Sequence, residues 1–217
     1  YSYSESSDLP YNNSWCYSAS QQLYRSDELN IEDVAKIESV AFKSASENLN
    51  ESYIQIYMKN TSKSSYIEAA EWVPVTANDK VYEGYIHTTG LDEWSTIELT
   101  TPFIYTGGHV LVCVNIGVEY YLSSNEQDQF YTYSPSTTSA YSCTIRSNDN
   151  KIDITNVPTE LLENGSVGPQ KNQIKFVYSQ KKEKINANFE SIDMGEVVLG
   201  EYWTEREDKS VIVSAAS

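Results

Sequence analysis

The sequence is poor in positive charge. Lysine and arginine number 15 against 31 aspartates and glutamates, so the formal net charge is −16 and the chain repels phosphate backbones and anionic lipid headgroups. Nucleic acid is therefore not an expected partner. Histidine is scarcer still: there are two, His87 and His109, and neither has the HExxH or H-x-E spacing that sets ligands on one helical face. The three cysteines, Cys16, Cys113 and Cys143, lack CxxC spacing, and an odd number cannot all pair within the chain. Cys113, inside VLVCVNI, reads as a small buried hydrophobe, while a bridge between Cys16 and Cys143 stays open. No apolar run reaches the roughly 18 residues that span a bilayer, so this segment is not expected to insert in a membrane. There is no GxSxG elbow and no glycine-rich phosphate loop before a helix. Carboxylate pairs arise by chance among 31 acidic residues, so no catalytic residue is assigned and the chain is read as a non-enzyme.

What the chain has in quantity is short β-branched and aromatic runs: AKIESVAF, SYIQIYM, DKVYEGYIH, STIELTTPF, HVLVCVNI, EYYLSS, QFYTYS, YSCTIRS and NQIKFVYS. Polar loops separate them. In SYIQIYM, Ile54, Ile56 and Met58 alternate with Tyr53, Gln55 and Tyr57, the period of two of a strand with one buried face. Only LYRSDELNIEDVAKI has helical flavour, enough for one short turn beginning near Ser26. The fold expected is all-β: a jelly-roll-like antiparallel β-sandwich with long end loops, such as 123–129 and 144–151, plus a short C-terminal β segment.

The segment TPFIYTGGHVLVCVNI carries the most apolar stretch. Pro102 suits a strand edge, Gly107 and Gly108 supply positive φ for a turn, and Val110 to Val114 run continuously apolar, as in a strand buried on both faces. His109 leaves that turn and His87 borders a loop, so both are read as structural.

Composition changes at SQKKEK, residues 179–184, which places one domain at 1–180 and a linker with further β segments at 181–217. The ordered segments SASQQLYRSDELN, AKIESVAFKSAS, IQIYMKNTSKSSY, EWVPVTANDKVYEG, EWSTIELTTPFIYTGGHVLVCV and GPQKNQIKFVY together resemble the adhesin-type β-sandwich modules of Bacteroidetes surface proteins, the group that includes the gingipain cleaved adhesin domains. The similarity spans roughly residues 11 to 178. NFESIDMGEVVLG, residues 188–200, is similar to the opening strands of bacterial Ig-like domains, so 181–217 reads as the start of an incomplete Ig-like unit. The first resemblance implies a secreted or cell-surface location, outside the bacterial outer membrane, and a binding role. Related modules hold structural calcium.

Local chemistry then nominates sites. Calcium takes carboxylate, amide and carbonyl oxygens in flexible loops, which Asp27 with Glu28, Asp92 with Glu93, and Asn148 with Asp149 supply. Eighteen tyrosines offer rigid faces with a hydroxyl handle, and Tyr120, Tyr121, Tyr131, Tyr133 and Tyr141 flank the long loops of the second half as candidate ligand contacts. The expected function is a non-catalytic adhesion or ligand-binding module for an extracellular glycan or host protein. The alternative is a structural spacer in a multidomain surface protein, with a secreted hydrolase behind it.

Overall fold

The computed structural model describes residues 3–6, 8–32, 34–48, 50–117, 122–123, 126–135, 138–148, 150–180 and 209–213. In chain order the strands are β1 Tyr3–Ser6, β2 Tyr17–Tyr24, β3 Ala35–Lys43, β4 Glu51–Thr61, β5 Lys80–His87, β6 Trp94–Tyr105, β7 His109–Gly117, β8 Phe130–Tyr133, β9 Ser142–Ser147, β10 Ser166–Gly168, β11 Lys171–Asn172, β12 Ile174–Gln180 and β13 Lys209–Val213. Two short helices, α1 Ser26–Leu29 and α2 Thr159–Glu163, interrupt them. Every strand pair is antiparallel, in a six-stranded sheet β10-β9-β2-β7-β4-β5, a four-stranded sheet β13-β12-β3-β6 and a three-stranded sheet β1-β8-β11. The fold is an all-β sandwich.

The two larger sheets bury one core between them. Ile54, Ile56 and Met58 of β4 meet Ile37, Val40 and Phe42 of β3, Ile97, Leu99 and Phe103 of β6, and Ile174 and Phe176 of β12. Burying each such side chain contributes about 1.5–3 kcal/mol, which offsets the ordering of the chain. In β7 the division is complete: Val110, Val112, Val114 and Ile116 enter this core, while Leu111 and Cys113 enter a second cluster on the opposite face. That is why its run is unbroken.

Gly107 and Gly108 adopt φ of 99° and 79°, so the turn is as expected, but it carries the chain from one sheet to the other rather than closing a hairpin. His109 then accepts a hydrogen bond at Nδ1 from the Ser26 amide, 3.1 Å away, and fastens α1 to the start of β7. All three cysteines are free. Cys113 and Cys143 both pair in register with Gln21, on opposite sides of β2, so their Cα atoms lie about two strand spacings, ~9.6 Å, apart. The open Cys16–Cys143 bridge is not formed either. Cys16 precedes Tyr17, the partner of Ser147, at the far end of β9 from Cys143.

β2 has few apolar residues and is nonetheless central. Gln21 explains how: its Nε2 donates to the Val73 carbonyl at 2.7 Å, and its Oε1 accepts from Tyr66 Oη at 3.0 Å and the Val73 amide at 2.9 Å. Gln22 is saturated in the same way by Asn172 and Tyr24. A buried polar side chain costs little once its hydrogen bonds are complete.

β13 pairs with β12, Ile174 opposite Val213 and Tyr178 opposite Lys209. The Ig-like stretch 188–200 lies outside the described residues.

Lys171 of β11 joins the small sheet to the large one. It is fully buried; its Nζ donates to the Leu23 carbonyl at 2.9 Å and to Glu28 Oε2 at 2.5 Å, among the rings of Tyr141, Tyr24 and Tyr133 at 4.9, 5.0 and 5.5 Å. Desolvation pulls its ammonium down to about 8, against the pull of Glu28. Removing one partner of such a pair strands the other, so Glu28→Gln is expected to cost about 3–5 kcal/mol and Lys171→Met less. Because the folded pKa lies below the unfolded one, the lysine penalises the fold most below pH 8 and the penalty fades as pH rises from there. Chemical denaturation at pH 7.5 and 9.5 should therefore show the wild type gaining on Lys171→Met; a pH-independent difference would contradict it.

Candidate functional site

A second hydrophobic cluster covers part of the outer face of the six-stranded sheet. The connection from 62 to 79 lays Tyr66, Ala69, Trp72 and Val75 over Ala19, Leu23, Leu111 and Cys113, and Ile152 and Ile154 complete the cover. The two covering segments meet closely at Gly165, where a Cβ would stand 2.7 Å from that of Ala69. Under this cover, desolvation pushes the Tyr57 phenol and the Cys143 thiol each up to about 12. They remain neutral and inert.

The cover stops at two rows of side chains that cross the sheet. Gln55 of β4 is in register with Asn115 of β7 on one side and with Glu83 of β5 on the other. Asn115 Nδ2 donates to Gln55 Oε1 at 3.1 Å, and Gln55 Nε2 donates to Glu83 Oε1 at 2.9 Å. Glu83 also accepts from Tyr53 Oη at 3.1 Å and pairs with Lys80. Lys80, then Gln55, hold its carboxyl below the usual range, so it stays ionised at neutral pH.

The neighbouring row is aromatic. Tyr17 pairs with Gly117, Tyr53 pairs with Tyr85, and Tyr53 follows in register one step beyond the Ile54–Ile116 pair. Tyr53 and Tyr85 meet edge to face, 5.0 Å between centroids, and are 38% and 61% exposed. At Gly117 a side chain would press on the Tyr17 ring, 3.3 Å from a Cβ, and the missing side chain leaves a notch of about 50 Å³ between Tyr17, Tyr53, Gln55, Asn115 and Lys151. The notch adjoins a groove of about 420 Å³ that shares Gln55 and Lys151 and is walled by Tyr57 and residues 152–155. Rigid strands thus present Tyr17, Tyr53, Gln55 and Asn115 to the notch, and Tyr57 and Gln55 to the adjoining groove of ligand size, with Tyr85 and Glu83 beside them on β5.

The residues nominated from local sequence do not gather here. Asp27 pairs with Arg25, and Glu28 is committed to Lys171 and to Tyr133, whose hydroxyl donates at 3.3 Å. Asp92, at φ 65°, faces Lys43 at 3.6 Å, while Glu93 contributes its carbonyl to Ser44. Asn148 accepts from the Cys16 amide at 3.4 Å. Asp149, Tyr120 and Tyr121 lie outside the described residues. Among the described residues, no group of three His, Cys, Asp or Glu side chains stands where it could hold a metal ion. Tyr133 and Tyr141, 2% and 3% exposed, surround Lys171, and Tyr131 is half-buried with the Lys43 ammonium 5.0 Å over its ring.

Sequence reasoning passed over Tyr17, Tyr85, Asn115, Gly117 and Glu83, which meet only through strand register. One signal was available: the outward positions of β4 read Tyr-Gln-Tyr rather than the lysines and glutamates of a solvated face. Comparison with known proteins yields no matching family model, curated protein or solved structure. Function has to be argued from this geometry.

A buried carboxylate, also unforeseen, lies beside the start of β4, where it holds Asn50. Asp128 is fully buried and accepts from Tyr11 Oη at 2.9 Å, Asn13 Nδ2 at 3.0 Å and Asn50 Nδ2 at 2.9 Å. Desolvation raises its pKa despite these neutral donors. A carboxyl with a raised folded pKa supports the fold when protonated and loses that support as pH climbs from the unfolded value, about 3.9, through the folded one. Wild type should thus lose stability relative to Asp128→Asn between pH 3.5 and 6 in denaturation experiments. Wild type gaining on Asp128→Asn as pH rises would contradict it.

Proposed function

We propose that the chain is a non-catalytic module that binds extracellular glycans through the tyrosine row on the outer face of the six-stranded sheet. The observation that carries this reading is the coincidence, at an edge of the cover, of Tyr17, Tyr53 and Tyr85 with the hydrogen-bonded chain Asn115–Gln55–Glu83. Aromatic faces take the C–H faces of a sugar ring, while amides and a carboxylate take its hydroxyls. A host protein fits less well, since a stable protein interface buries about 1,200–2,000 Å² around an apolar centre, and this surface is a small notch beside a groove of about 420 Å³. The reading needs no metal ion and no reacting group. It accords with the resemblance to surface adhesin modules and with a secreted or cell-surface location for the chain.

The test is a glycan array followed by titration calorimetry on the best ligand. Tyr53 and Tyr85 are exposed, so Tyr53→Ala and Tyr85→Ala should leave the melting temperature within a few degrees. Each should weaken binding about tenfold, the loss expected when an aromatic contact worth about 1.4 kcal/mol is removed. Binding that survives both substitutions would place the site elsewhere, and a protein that binds no glycan would favour the spacer role.

A further inference from the structure

The polar chain beside the tyrosines has a direction, and the direction selects the ligand. Glu83, ionised at neutral pH, can only accept hydrogen bonds. Gln55 must therefore turn its amino group toward Glu83 and its oxygen toward Asn115, and Asn115 must turn its amino group toward Gln55. What remains at the end is Asn115 Oδ1, an acceptor that is buried and has no hydrogen-bond partner. Asn115 is 6% exposed and lines the notch left by Gly117. A buried acceptor without a partner is destabilising, and a donor brought by the ligand would relieve it. The one other orphan of this kind among the described residues, Trp72 Nε1, belongs to a side chain in the covering cluster that does not line the notch.

Resting on the glycan reading, we infer that the site selects oligosaccharides that lie across the strands and place one donor, a sugar hydroxyl or an acetamido N–H, in the notch against Asn115 Oδ1. The length follows from the row: Tyr17 to Tyr85 spans β2, β7, β4 and β5, three strand spacings or about 14 Å, more than a single sugar ring covers. Asn115 Oδ1 can only accept, so the group that fills the notch must donate; a carboxylate or sulfate offers no donor there, and its charge would meet both Glu83 and Lys151, which lines the notch. The notch, at about 50 Å³, admits one small group rather than a ring.

The experiment is calorimetry with matched ligands: the oligosaccharide that binds best, its single O-methyl and deoxy derivatives, and an N-acetylated counterpart. One O-methyl derivative, which keeps the acceptor but loses the donor, should bind about tenfold more weakly than the parent. If the N-acetylated counterpart evades that loss, the donor is an amide N–H; if not, it is a hydroxyl. Asn115→Ala should erase the difference between parent and derivative. Should that variant fail to fold, Glu83→Gln, at an exposed position, tests the same point: it can donate as well as accept, frees the Gln55 amide to turn, and should narrow the difference. Equal binding of parent and all O-methyl derivatives would overturn the donor assignment while leaving the glycan reading intact. An ordered water bound to Asn115 Oδ1 and retained in the complex would also overturn it. Absence of any glycan binding would remove both.

Discussion

The outer face of the six-stranded sheet is covered over only part of its area, and much of the architecture answers to that fact. Where the cover lies, strands must be apolar on both faces, and β7 carries Leu111 and Cys113 outward between Val110, Val112 and Val114. Where it ends, β4 can alternate, with Tyr53 and Gln55 outward between Ile54 and Ile56. The connections 62–79 and 150–165 lie along the sheet and pack on it through Tyr66, Trp72, Ile152 and Ile154 rather than forming a loop at its end. The groove is the boundary of the cover, so its position is set by core packing rather than by any flexible element.

The two buried charges hold that boundary in place. Lys171 ties β11, β2 and α1 through a carbonyl and a carboxylate, and Asp128 ties the approach to β8 to Tyr11, Asn13 and Asn50. Each charge is satisfied only if all its donors or acceptors arrive together, so these contacts favour one arrangement of the sheets over its near neighbours. Neither faces the groove. Ligand contacts can thus change at Tyr53 or Tyr85 without disturbing what secures the strands.

Strands whose apolar residues follow a period of two, β3 to β6 and β12, and the unbroken apolar run of β7 are legible in the sequence because burial on one or both faces dictates their residue types. β2 is not, since Ser18, Ser20, Gln21 and Gln22 are buried by specific hydrogen bonds that no periodicity announces. The short β10 and β11 are equally silent, being defined by their neighbours. The site was the least legible part. Tyr17, Tyr53, Tyr85 and Gly117 lie 32 or more residues apart in sequence and come together only through register, whereas the tyrosines that cluster in sequence, Tyr131, Tyr133 and Tyr141, are spent on Lys43 and Lys171. Proximity along the chain marks a site in a loop, and this one is built on a sheet.

The most direct measurement is a nuclear magnetic resonance titration that follows the side-chain amide signals of Asn115 and Gln55 while a neutral oligosaccharide is added. The hydrogen-bonded chain predicts that both pairs of amide protons shift together and saturably, with the Tyr53 and Tyr85 ring signals moving alongside and the Lys171 ammonium environment unchanged. Saturable binding that leaves the Asn115 and Gln55 amides unmoved, or that perturbs residues on the four-stranded sheet instead, would contradict the account.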